Sequence, residues 1–124
     1  MMGGGRWLAG RALVLLYALP WVWLGCFCLF AAAVTLTIGR LPSYSDPDPK
    51  HVSGLHPFYT LTMLLLAATA LSPVLVGAHL AARTLAGRSL RDWRGSLLAY
   101  AAGLSLAAMV IFGNVLGLSS WLFD

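Results

Sequence analysis

The chain contains no glutamate, and its four acidic residues, Asp46, Asp48, Asp92 and Asp124, all lie outside its long apolar runs. Charged residues make up only 10% of 124 positions, against roughly 25% in an average soluble domain. Proton- and cation-coupled transporters usually hold a carboxylate at membrane depth, where its cost is accepted for function. None is available here, which argues against that class. Cysteine is scarce as well. Cys26 and Cys28 stand two residues apart, a spacing that points them to different faces of a helix. They form neither a redox pair nor a metal clamp within one helix, and read as small packing residues.

What fills the chain instead is apolar sequence, 60% of all residues. Three runs carry no charge: 12–39, 55–80 and 95–123. A run of about 18 apolar residues spans a hydrocarbon layer roughly 30 Å thick, because a helix rises about 1.5 Å per residue. The expected fold is therefore an all-α membrane protein of three transmembrane helices, one domain over residues 1–124. The spans are placed at 12–39, 57–82 and 95–119, with a loop at 40–56 and an Arg-rich loop at 83–94. The apolar part of the first span exceeds that of a signal peptide, so it is expected to be retained. Trp23-Leu24-Gly25-Cys26 fits a lipidation site poorly, since apolar sequence continues past it to Ile38.

The net charge of +4 comes from residues flanking the spans. With three spans, Arg6, Arg11, Arg83, Arg88, Arg91 and Arg94 share a side, six of eight basic residues. The positive-inside rule places that side, and the N-terminus, in the cytoplasm, with the C-terminus outside. Arg83, Arg88, Arg91 and Arg94 are assigned to lipid headgroups and topology. No basic patch on a soluble module suggests nucleic acid. Trp7 and Trp93 are expected at the inner interface, and Tyr44, Phe58, Tyr59, Trp121 and Phe123 at the outer one.

Prolines punctuate the spans. Pro20 predicts a kink in the first, Pro57 starts the second, and Pro73 frees the carbonyl of Thr69 for water or a neighbouring hydroxyl. In the third span Gly95, Ala99, Gly103 and Ala107 recur every four residues, so two backbones can approach closely. The second span is the expected partner. Asn114 is the one amide in a span, placed by depth near Thr62 and Thr60, with Thr35 at a similar level.

The loop at 40–56 is the longest polar segment. Asp46, Asp48, His51 and His56 could ligate a divalent cation, but their spacing matches no zinc or calcium signature. His79 stands most of a membrane thickness from the other histidines, so one copy holds no bis-histidine haem pair. No cofactor is implied. If a site exists, it is expected at the outer end, where Asn114, the loop carboxylates and the two outer histidines converge.

The run from Pro42 to Lys50, PSYSDPDPK, resembles a P-S-Y-x-x-P-D-P-K loop of small bacterial membrane proteins that carry no established activity. The resemblance covers this loop, Gly39-Arg40 and the spacing of the apolar runs. It implies a multi-pass protein of the cell inner membrane and no mechanism. The leading expectation is a non-catalytic accessory, structural or assembly protein, in a homo-oligomer or a larger membrane complex. An oligomeric pore or holin-like transport protein is the alternative, and a metal or enzymatic site at the outer loop the third.

Overall fold

The apolar runs become four helices in a computed structural model of the chain, which describes residues 3–42, 54–114 and 117–123. They are α1 (Gly3–Ile38), α2 (His56–Leu85), α3 (Arg94–Phe112) and α4 (Leu118–Leu122), with a 3-10 turn at Arg91–Trp93 before α3. Three of these stretches are long and apolar enough to cross a membrane. The fold is all-helical, and lipid contact follows from those faces.

The 36 residues of α1 extend about 54 Å, well beyond a hydrocarbon layer of roughly 30 Å. Its helix begins nine residues before the uncharged run, taking in Arg6 and Arg11. Arg11 lies over the Trp7 ring at 3.6 Å, a cation–π contact that covers part of the charge. Pro20 sits inside α1 without interrupting the helix.

α1 is the central helix, and α2 and α3 both pack along it while meeting each other far less. Its buried positions, Tyr17, Pro20, Trp23, Phe27, Phe30 and Val34, recur at three- and four-residue intervals, the spacing of one helical face. Trp23 stacks on Phe27 and Phe30 on Trp121. With Ala107 and Leu122 they form one core, which Tyr59 and Met63 of α2 flank. Tyr17, Val76 and Tyr100 form a second core toward the Arg-rich end.

The expected third span of 95–119 is corrected here, because its helix stops at Phe112. Asn114 takes φ +46° and Gly117 φ +73°, left-handed values that turn the chain. The short α4 then packs back on the bundle, with Ser119, Trp121 and Leu122 buried. Trp121 is 0% exposed and therefore a core residue, not the interfacial anchor its sequence position suggests. Trp93 is likewise half-buried, packed at 5.2 Å on Tyr17.

Candidate functional site

A hydroxyl on an apolar helix is stabilised by a partner within the protein, because lipid offers none. Thr35, Thr37, Thr60, Thr62 and Thr84 each donate to the carbonyl four residues earlier. Thr62 is 0% exposed. With its proton committed to the Phe58 carbonyl at 2.8 Å, its Oγ1 accepts from Cys26 Sγ at 3.4 Å. These residues are tied down inside the helix ladder.

A denser arrangement begins at Pro73. Its ring nitrogen carries no hydrogen, so the Thr69 carbonyl one turn earlier loses its helical donor. Ser72 Oγ supplies one at 2.7 Å. Ser72 has then spent its proton, so Tyr100 of α3 donates to Ser72 Oγ, also at 2.7 Å. Ser72 and Tyr100 are both buried. The bond repairs α2 and ties α2 to α3.

One turn or two beyond, Tyr17 of α1 meets His79 of α2, its hydroxyl 3.0 Å from Nδ1. The His79 ring packs edge-on against Trp93 at 4.8 Å, and Tyr17 packs against Tyr100 at 5.8 Å. Arg83 approaches the Trp93 ring at 5.6 Å and donates from a terminal nitrogen to the Ser89 carbonyl at 2.9 Å. α1, α2, the 3-10 turn and α3 thus converge on one aromatic and polar cluster.

The end of α2 completes it. Gly87 adopts φ +67°, Arg88 donates its backbone N–H to the Arg83 carbonyl at 2.9 Å, and Gly87 donates to that of Thr84 at 3.0 Å. This pair of bonds is the Schellman helix ending. It folds the chain back so that Arg83 and Arg88 sit beside each other.

The residues named from sequence are distributed differently. Gly103 and Ala99 meet Trp21 of α1, whereas Ala107 lies in the core with Trp23 and Phe27 of α1 and also lines a cavity with Leu66, Thr69 and Pro73 of α2. Trp21 Nε1 donates to the Ala99 carbonyl at 2.8 Å, and a Cβ at Gly103 would stand 2.7 Å from that nitrogen. Gly95 is exposed, with open space around its backbone. Asn114 is exposed and joins neither Thr62, Thr60 nor Thr35. Its Oδ1 accepts from Ser119 Oγ at 2.6 Å and from the Ser120 N–H at 3.0 Å, capping α4.

Asp46, Asp48 and His51 lie outside the described residues, and His56 is exposed at the first turn of α2. Among the described residues no group of three potential metal ligands forms. Arg91 and Arg94 are exposed. Three buried side-chain atoms among the described residues lack a hydrogen-bond partner: Trp23 Nε1, Thr69 Oγ1 and Arg83 Nε.

Tyr17, Ser72 and Tyr100 carry the cluster, yet sequence reasoning assigned none of them a polar role. Ser72 next to Pro73 was the available signal, a hydroxyl beside a broken ladder. The chain matches no protein-family model, no curated protein and no solved structure.

Proposed function

We propose that this chain is a small non-catalytic membrane protein, an accessory or assembly subunit of a bacterial inner membrane. In this reading the N-terminus and Arg-rich loop are cytoplasmic, and the chain works as a homo-oligomer or beside larger partners. One observation carries it: the polar groups between the helices mostly bond one another or the backbone. Ser72 repairs α2, Tyr100 holds Ser72, Tyr17 meets His79, and Thr62 closes on Cys26. Groups spent on holding helices together are not presented to a substrate.

The outer faces support the second half of the reading. α2 exposes Leu61, Leu64, Leu71 and Val74, and α3 exposes Leu98, Met109 and Phe112. Such faces suit lipid or a neighbouring membrane helix equally, since dispersion packing drives helix association in bilayers.

Purification in mild detergent, with native mass and identification of co-purifying proteins, tests this. A defined complex with other membrane proteins is expected. A lone oligomer that conducts ions in planar bilayers would replace the accessory reading with a pore.

A further inference from the structure

Two neighbouring cavities open at the Arg-rich end, and their linings differ in kind. One, of about 300 Å3, is lined by Leu13, His79, Ala82, Arg83, Ala86 and Arg88. The other, of about 520 Å3, lies in the groove between α1 and α2, with Leu15, Leu16, Leu19 and Leu75 in its wall. Leu13 and His79 line both, so the basic cavity continues into the apolar groove.

We propose that together they bind one anionic phospholipid, its phosphate against Arg83 and Arg88 and an acyl chain in the α1–α2 groove. Charge complementarity carries the choice of occupant. Two permanent cations share a small cavity, and Asp92, the one carboxylate among the described residues, is exposed and lies outside its lining.

The site is also preorganised. The Schellman ending brings Arg88 to Arg83, the Ser89 carbonyl fixes one Arg83 nitrogen, and the Trp93 ring lies beside the guanidinium. Groups held before binding lose less freedom when the ligand arrives. His79 contributes at the junction. In the tautomer that accepts from Tyr17 at Nδ1, its Nε2 carries the proton, a donor for a glycerophosphate oxygen. A free phosphate would fill only the basic cavity, whereas a phospholipid matches the change from charged to apolar lining.

Native mass spectrometry of the detergent-purified full chain tests the site. It is titrated with phosphatidylglycerol, with phosphatidylcholine of the same acyl chains, and with glycerol phosphate as the soluble headgroup. One phosphatidylglycerol should be retained preferentially, and glycerol phosphate should not displace it. Arg83→Gln with Arg88→Gln should weaken retention about thirtyfold, the effect of removing two headgroup cations. Arg91→Gln with Arg94→Gln, outside the cavity, should change it less than about threefold. Leu75→Trp should fill the groove and release the lipid, with Leu19→Phe as the substitute if that variant loses its helical circular dichroism. Equal retention of phosphatidylcholine, equal loss in both arginine pairs, displacement by glycerol phosphate, or no effect of filling the groove would each overturn the proposal.

Discussion

Replacing Gly103 with alanine should destabilise the bundle, although alanine is the better helix former. A Cβ at this position would lie 2.7 Å from Trp21 Nε1, 2.9 Å from Cδ1 and 3.0 Å from Cε2. Ordinary contact starts near 3.4 Å, so the indole has to retreat by about 0.7 Å. Trp21 is 43% exposed and has room to move outward. Its N–H, however, is held 2.8 Å from the Ala99 carbonyl, the oxygen one turn before Gly103. Retreat stretches that bond beyond useful length.

A hydrogen bond between membrane helices contributes about 0.6 kcal/mol on average. Overpacking adds about 1–3 kcal/mol. The gain from replacing glycine in a helix is roughly 0.5–1 kcal/mol. The net loss should be about 0.6–3 kcal/mol. In a Trp21→Ala background the obstruction is gone, and the same change should stabilise by up to roughly 1 kcal/mol. Reversible unfolding in mixed micelles, followed by near-ultraviolet circular dichroism, measures both. The diagnostic quantity is the coupling between the two sites, expected at about 2 kcal/mol. An equal effect of Gly103→Ala in the two backgrounds would refute the contact.

Ser72→Ala should cost more than Tyr100→Phe. The first strips the Thr69 carbonyl beside Pro73 of its donor, at about 1–3 kcal/mol for an unmatched buried acceptor. The second leaves that bond in place, and about 0.6 kcal/mol is expected. Unfolding free energies in the same micelles rank them, and the reverse order would show that Ser72 does not repair the helix. Asn114→Ala should loosen α4 by about 1–2 kcal/mol, losing two bonds and placing alanine at φ +46°. Its readout is a red-shifted component in the tryptophan emission as Trp121 leaves its core, absent in a Trp121→Phe control. Asn114→Gly keeps the turn accessible and should cost less by the same readout.

Much of the fold was legible along the chain. Uncharged runs of this length leave a lipid-facing helix as the economical structure, since only there can each backbone amide pair locally. The role of Pro73 was also legible, because proline removes a donor at a known position. What could not be read was the partner of each face. The stripe through Gly103 looked suited to the second helix, but small residues state only that something approaches closely. Trp21 of α1 fills that space, and its direction depends on how α1 and α3 cross.

The candidate site shows the same division. Expectation centred on Asn114 and the outer histidines, because intramembrane polarity draws attention. Asn114 instead closes a local turn, a competition between side chain and helix that depends on where the third helix ends. The cluster of Tyr17, Ser72, His79, Trp93 and Tyr100 spans more than eighty residues of sequence. No spacing rule connects positions so far apart.

By itself, then, the sequence determined three helices long and apolar enough to cross a membrane, and the carbonyl that Pro73 leaves bare. Hydropathy and proline chemistry act locally and need no neighbour to be read. Only the tertiary structure decided that α1 is central, that the third apolar run turns back after Phe112, and that Arg83 and Arg88 share one cavity. Those outcomes depend on which side chains interlock across helices, and interlocking is a property of pairs that no single stretch of chain contains.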